Sequence, residues 1–221
     1  MKLIFTLLVL VACVAARQPC QQSKGYTTQF ELSAFNTFFP TGSSNVALSF
    51  YEAGNTTTDF DGQRTRSDWI IIMEGQPPMV GSIWEFGQTG EGYVYQNGIC
   101  VKMSLNYPIP AGFPLQNFVG VTRIGNFPVE VYTATGVSPS VLTNQTFLFD
   151  PKSCSVVSST LRNADAANPG FAVMNFFNYE NYFIESWFDL PAECTQSSVT
   201  KNIPHAVNPH HTNFLKYSAS A

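Results

Sequence analysis

Residues 171–178, with the sequence FAVMNFFN, carry apolar side chains on both faces of the β-strand that their alternation predicts. Positions 171, 173 and 177 fall on one face, and positions 172, 174 and 176 fall on the other. A strand with one face in water would be polar at alternate positions. The stretch therefore predicts a strand that is buried on both faces, or one with the core on one face and an apolar pocket on the other. We expect Tyr182–Phe188 to form the next strand of a hairpin.

The same two-residue period extends outward from this strand over most of the chain. The period recurs at Val46, Leu48 and Phe50, at residues 99–105, at Phe147 and Phe149, and at residues 157–161. Asp61-Gly62 predicts a tight turn before the strand Arg64–Met73. Gly125-Asn126 predicts another between Asn117–Ile124 and Phe127–Thr135. Because helical periodicity is nearly absent, the sequence predicts an all-β fold of about ten or eleven strands.

The first sixteen residues have the three parts of a secretory signal peptide. Lys2 supplies a positive charge, Leu3–Val14 an apolar run, and Val14-Ala15-Ala16 the small residues of a cleavage site. An alternative is a bacterial lipobox at residues 10–13, in which Cys13 would become a lipidated amino terminus. We predict a signal peptide at 1–16, a secreted β domain at 17–194 and a flexible tail at 195–221, with no later membrane span.

The composition of the chain excludes some partners. Charged residues make up 12% of the sequence and aromatic residues 14%, and the formal net charge is −4. No cluster of basic residues is present, which argues against nucleic acid or an anionic membrane surface as partner. A chain this aromatic and this weakly charged builds a wide sheet core or lines an apolar cavity.

Four cysteines remain after removal of the signal: Cys20, Cys100, Cys154 and Cys194. An even number in an oxidising compartment predicts two structural disulfides, for which three pairings are open. Two N-glycosylation sequons, Asn55-Thr56-Thr57 and Asn144-Gln145-Thr146, also fit a eukaryotic secretory route. Because both lie in polar, Thr-rich stretches, we expect them on exposed loops.

Catalytic machinery is hard to assemble from this sequence, and we predict that the protein is not an enzyme. All three histidines, His205, His210 and His211, lie in the tail, and no Gly-x-Ser-x-Gly motif is present. The carboxylates near predicted strands have no distinguishing context; they are Glu85, Glu91, Glu130, Glu185 and Asp189. Asp59–Gly62 resembles the start of a calcium loop but lacks its final Glu, so a hairpin turn is favoured there. Calcium bound by scattered carboxylates stays open.

Several short motifs follow one another in an order that points to a known family. They are Gln18-Pro19-Cys20, Phe50-Tyr51, Asp59–Arg66, Gly92–Cys100, Phe113-Pro114-Leu115, Gly136, Asp150–Val157 and Phe188–Cys194. In this order, and with these cysteine positions, the chain from Cys20 to Cys194 resembles the ependymin and mammalian-ependymin-related family of secreted glycoproteins. Each motif alone is loose, so the resemblance depends on their succession.

The resemblance implies two curved antiparallel sheets, arranged as a half-barrel or sandwich around a hydrophobic cavity. It also implies binding of a lipid or other hydrophobic ligand, a homodimer, association with calcium, and the pairings Cys20–Cys154 and Cys100–Cys194. The chain departs from the family in lacking a third cysteine pair and in its His-containing tail. Because of these departures, two questions stay open: whether the protein forms a dimer, and whether it is sent to the lysosome or secreted from the cell.

The leading hypothesis is a secreted carrier that shields an apolar ligand inside a β-lined pocket. The residues predicted to line this pocket are Trp69, Ile71, Trp84, Phe86, Met103, Phe171, Phe177 and Trp187. The alternative is an extracellular adhesion or matrix protein that acts through its glycosylated surface, and a third possibility is a secreted hydrolase.

Overall fold

The computed structural model describes residues 24–38, 47–105, 109, 111–113, 115, 117–134 and 143–195. Nearly all regular structure in these residues is β. The eleven strands are β1 (Gly25–Phe38), β2 (Ala47–Asp59), β3 (Arg64–Ile72), β4 (Met79–Phe86), β5 (Glu91–Gln96), β6 (Ile99–Ser104), β7 (Asn117–Ile124), β8 (Phe127–Ala134), β9 (Thr143–Asp150), β10 (Ser155–Asn163) and β11 (Phe171–Glu180). A 3₁₀ helix (Glu185–Phe188) and a short α-helix, α1 (Ala192–Thr195), follow β11. Among the described residues, no helix is long and apolar enough to cross a membrane.

The strands form one antiparallel sheet in the order β6-β5-β4-β3-β2-β1-β11-β10-β9-β8-β7. Each half of the chain is a meander of consecutive hairpins, and the halves join where β1 pairs with β11. The predicted all-β class and strand number are confirmed. The two curved sheets that the resemblance implies are the two halves of this continuous sheet. The predicted turn at Gly125-Asn126 is also confirmed, because Gly125 takes the positive φ of 58° that the turn requires.

The predicted strand at Tyr182–Phe188 is wrong. β11 is already hydrogen-bonded to β1 on one side and to β10 on the other, so it has no free edge for a hairpin partner. The chain instead leaves the sheet after Glu180, and Glu185–Phe188 forms the 3₁₀ helix. Aromatic residues of this segment pack onto the sheet instead of joining it, as buried Phe188 does against Arg64 at the start of β3.

One face of the sheet, called the inner face below, carries the main apolar cluster. Its fourteen buried side chains come from eight strands: Phe30, Leu32, Phe50, Trp69, Ile71, Ile83, Val94, Phe147, Phe149, Val156, Leu161, Ala172, Met174 and Phe176. The connection between β6 and β7 adds Phe113, whose ring lies 5.2 Å from that of Tyr26 on β1 and 6.4 Å from that of Phe149 on β9. One ring therefore bridges the two halves, which brings β1 and β9 together across a curved sheet.

The opposite face, called the outer face, is covered at β3–β6 by the segment that follows β11. Trp84 donates its indole N–H to the carbonyl of Trp187 at 3.0 Å, and the Arg66 guanidinium lies between these two rings, 5.0 Å and 5.2 Å from their centroids. The Cys100–Cys194 disulfide ties α1 to β6 and confirms that implied pairing. Cys154 is also disulfide-bonded, and its predicted partner Cys20 lies outside the described residues.

Candidate functional site

Trp69 lies at the centre of the inner face, over the space that the missing side chain of Gly81 leaves. In the register of the sheet it is opposite Gly54 on β2 and Gly81 on β4. A Cβ atom at Gly81 would lie 2.6 Å from Cζ2 of the indole, closer than carbon atoms pack. The missing side chain of Gly81 thus allows the large indole to lie over β4.

The indole N–H of Trp69 is a buried donor for which the described residues provide no acceptor. Trp69 is only 2% exposed, and its Nε1 atom has no hydrogen-bond partner in that part of the chain. Leaving a buried donor unpaired costs about 1–3 kcal/mol, so such groups are rare in native proteins unless a ligand or a water pairs with them. The inner face therefore presents one directional polar group within an apolar surface.

All four methionines that follow the predicted signal peptide belong to the inner face. Met174 is part of the buried cluster, and Met73, Met79 and Met103 pack against it. Methionine side chains are flexible and polarisable, and proteins use them where an apolar surface must adapt to different ligands. The cluster is thus less rigid than one of β-branched side chains alone.

Toward the turn between β2 and β3, the inner face changes from apolar to hydroxyl-bearing. Ser67 Oγ donates to Thr56 Oγ1 at 2.8 Å, and the hydroxyls of Thr58 and Thr65 lie 3.2 Å apart. These four side chains are buried. The inner face is therefore amphipathic along its strands, with an apolar centre and a hydroxyl-rich end.

Tyr26 and Tyr179 stack beside this hydroxyl-rich end, with ring centroids 5.4 Å apart and planes 10° from parallel. Burial raises the pKa of Tyr26 to about 12. Burial, followed by the charge of Tyr26, also raises the pKa of Tyr179. Both phenols are consequently neutral at physiological pH, and the Tyr179 hydroxyl has no hydrogen-bond partner among the residues that the structure describes.

Three buried glutamates also lie on the inner face: Glu52, Glu85 and Glu130. Glu52 is 0% exposed and stands opposite Leu32 and Ile71. Glu130 accepts a hydrogen bond of 2.8 Å from the Tyr132 hydroxyl. The prediction did not select Glu52, although the alternation through Leu48 and Phe50 places the next inward side chain at position 52.

The sheet divides the predicted pocket residues between its two faces. Trp69, Ile71 and Met103 lie on the inner face, in or against the same cluster. The others lie on the outer face: Trp84, Phe86 and Trp187 near the C-terminal helices, and Phe171 and Phe177 as exposed side chains of β11. Only the first three are therefore brought together, and contact of any of them with a ligand stays a prediction.

The candidate metal and catalytic groups do not converge in the described part of the chain. Within it, no group of three or more His, Cys, Asp or Glu side chains could hold a metal ion. Asp59 accepts hydrogen bonds from the Gly62 N–H and from Arg64 Nε, both at 2.8 Å, as expected of a hairpin turn. The three histidines lie outside the described residues.

Both sequon asparagines lie on the outer face and in strands, not on loops as expected. Asn55 is half-buried in the middle of β2, opposite Gln29 and Asp68. Asn144 is exposed in β9, opposite Arg162. The loop expectation fails because Thr favours strands as well as polar surface.

Two solved structures have folds that resemble part of this one. One, an uncharacterised conserved protein from Thermus thermophilus, is 8% identical and has a TM-score of 0.43, covering 78% of this chain and 88% of that one. The other, a DUF1329 family protein from Desulfovibrio piger, is 11% identical with a TM-score of 0.33, covering 77% and 91%. Neither similarity is close enough to carry an argument about this protein.

Comparison of amino-acid sequences gives closer matches than comparison of structures. An uncharacterised protein of Dictyostelium discoideum is 35% identical over 170 residues, which are 77% of this chain and 54% of that protein. The chain thus spans about half the length of this curated relative. The model of the amoebozoan ependymin domain matches residues 18–216, nearly the whole chain after the predicted signal peptide. The protein therefore belongs to the ependymin family.

Proposed function

We propose that the protein is a secreted carrier that binds a lipid or other hydrophobic ligand on the inner face of its sheet. The observation that supports this proposal is the indole N–H of Trp69, which no described residue accepts and which lies in an apolar cluster formed by eight strands. A ligand with an apolar body and one hydrogen-bond acceptor, such as an acyl ester or a carboxyl group, matches both features. Neighbouring methionines could adjust to its shape.

Burial of hydrocarbon supplies the driving force in this proposal. Each methylene group removed from water contributes about 0.8 kcal/mol, so a chain of several carbons supplies enough free energy for binding. The Trp69 N–H then adds orientation rather than most of the affinity. Such a ligand shares the inner face with Phe113 and Leu115, which pack against the cluster from the β6–β7 connection.

The tryptophans provide a direct test of this binding face. Trp69 is on the inner face, whereas Trp84 and Trp187 are on the outer face. In the Trp84→Phe/Trp187→Phe protein, Trp69 is the only tryptophan left, and a fatty acid should change its emission in a saturable manner. In the matched Trp69→Phe protein the outer pair should respond weakly or not at all. A response of the outer pair alone would overturn the proposal.

Secretion and a non-catalytic role are parts of the same proposal. The Cys100–Cys194 disulfide supports an oxidising compartment. Calcium association remains a proposal from family membership, and calorimetric titration with Ca²⁺ tests it. Glycan-dependent cell binding without any hydrophobic ligand would favour the adhesion alternative instead.

We also propose that a second copy of the chain pairs at the β7 edge of the sheet. β7 exposes Phe118, Val119 and Val121 and is an edge strand of the sheet that the described residues form, a position at which a further strand can pair. The opposite edge, β6, is bonded to α1 through the Cys100–Cys194 disulfide. Antiparallel pairing of two β7 strands about a twofold axis would cover the exposed apolar side chains.

A further inference from the structure

An open groove crosses the outer face from β2 to β5, on the opposite side of the sheet from the apolar cluster around Trp69. It encloses about 540 Å³. Its lining consists of Ala53, Gly54, Asn55, Asp68, Trp69, Ile70, Val80, Gly81, Ser82, Tyr95, Gln96 and Asn97. Asn55, Asp68 and Val80 each adjoin an inward-facing position of their strand, so their side chains point to the outer face. The groove and the inner face are therefore two separate surfaces of one sheet.

Asn55 lies at one end of this groove and is the acceptor residue of the sequon Asn55-Thr56-Thr57. Its neighbours across the sheet are Gln29 and Asp68. A sugar attached to a strand residue in mid-sheet must leave along the face to which that side chain points. We propose that Asn55 carries an N-linked glycan whose first N-acetylglucosamine lies in this groove.

The chemistry of the lining suits a sugar of this kind. The Asp68 carboxylate holds the Ser82 hydroxyl at 2.6 Å and Arg66 Nη2 at 3.0 Å, so this wall is ordered and polar. Tyr95 adds an aromatic side chain, and Ile70 and Val80 add apolar surface. Hydroxyl groups of the sugar meet the polar wall, while its ring carbons and acetamido methyl meet the apolar one. A glycan in this position would also cover Val80, which is 59% exposed.

Asn144 provides an internal comparison. It is exposed in β9, opposite the exposed Arg162, and it is not among the residues that line the groove. A glycan at Asn144 would project into solvent without a wall on either side. The two sequons should therefore differ in how accessible their glycan linkages are in the folded protein.

The test uses the full chain secreted from eukaryotic cells, treated with peptide-N-glycosidase and followed by intact mass and peptide mapping. The Asn55→Gln and Asn144→Gln proteins assign the two glycans. In the folded protein, release from Asn55 should be at least about tenfold slower than from Asn144, which corresponds to ~1.4 kcal/mol of contact with the groove. After denaturation the two rates should become equal. An unmodified Asn55, or equal rates in the folded protein, would overturn the proposal.

A second variant probes the groove itself. Val80→Arg places a long charged side chain across the groove and should speed release from Asn55 without changing release from Asn144. The control Tyr182→Arg alters a residue of similar exposure, 57% against 59%, in the segment that follows β11 and outside the groove lining. If both variants change the Asn55 rate equally, the groove does not hold the sugar. Ligand binding on the inner face is measured separately, so this result and that of the proposed function can fail independently.

Discussion

A single methyl group added at Gly81 probes how the inner face holds Trp69. In the Gly81→Ala protein the new Cβ would lie 2.6 Å and 3.0 Å from indole carbons of Trp69 and 2.9 Å from the carbonyl oxygen of Tyr95. Carbon atoms in contact are about 3.5–4.0 Å apart, so the indole must move by about 1 Å. Overpacking of this kind costs about 1–3 kcal/mol.

The matched control is Gly120→Ala on β7, where no atom of the described residues lies within 4 Å of the added methyl group. Alanine at such a site is neutral or stabilises by up to about 1 kcal/mol, because it restricts the unfolded chain. For a chain of this size, each kcal/mol shifts Tm by about 2–4 °C. Gly81→Ala should therefore unfold at lower urea concentration and lower temperature than Gly120→Ala.

Urea titration followed by tryptophan fluorescence and by circular dichroism measures both variants. A double-mutant cycle with Trp69→Phe isolates the indole contact, and the coupling should be about 0.5–3 kcal/mol, since the smaller ring relieves the clash. If Gly81→Ala is as stable as Gly120→Ala, the indole does not lie over Gly81 and this account of the inner face is wrong.

Three further predictions concern the Cys100–Cys194 disulfide, the buried phenol of Tyr26 and the edge strand β7. Replacing both Cys100 and Cys194 by Ser should destabilise the protein by about 4–5 kcal/mol in urea titration, from the 94-residue separation; an unchanged midpoint would contradict this. Because the folded state raises the pKa of Tyr26 from 10.0 to about 12, stability should fall as pH rises from about 10 to 12, and Tyr26→Phe should retain more of it in alkaline urea titrations. If the Tyr26→Phe protein instead loses more stability than the unchanged protein between pH 10 and 12, this prediction is wrong. Val121→Lys should shift any dimer toward monomer in analytical ultracentrifugation, whereas an unaffected dimer would place the interface elsewhere.

The sequence predicts local strand pairing well, because alternation and turn chemistry are local signals. Gly125-Asn126 predicts its hairpin almost to the residue, and Arg64–Met73 corresponds to β3. Alternation also places Ala172, Met174 and Phe176 on one common face. What alternation does not reveal is which of two apolar faces turns inward, since that depends on how the distant strand β1 pairs with β11.

The sequence therefore does not reveal which strands are neighbours in the sheet, because that pairing joins residues far apart in the chain. Tyr182–Phe188 is rich in aromatic residues, which favour strands, but β11 has no free edge, and only the order of strands in the sheet reveals this. The same order sends Trp84 and Trp187 to the outer face, where Arg66 lies between them. Aromatic residues that stabilise a cation–π stack and aromatic residues that form an apolar core are alike in sequence.

Binding of a hydrophobic ligand on the inner face is tested most directly by measuring the mass of the intact protein. Native mass spectrometry of the freshly secreted protein, followed by denaturation and lipid extraction, compares the protein with and without non-covalent cargo. We predict an added mass that disappears on denaturation and is recovered as a lipid or similar apolar compound. That compound should rebind to the stripped protein and quench Trp69 in the single-tryptophan variant. A secreted protein that carries no added mass, and whose Trp69 emission no fatty acid or lipid changes, would contradict the account.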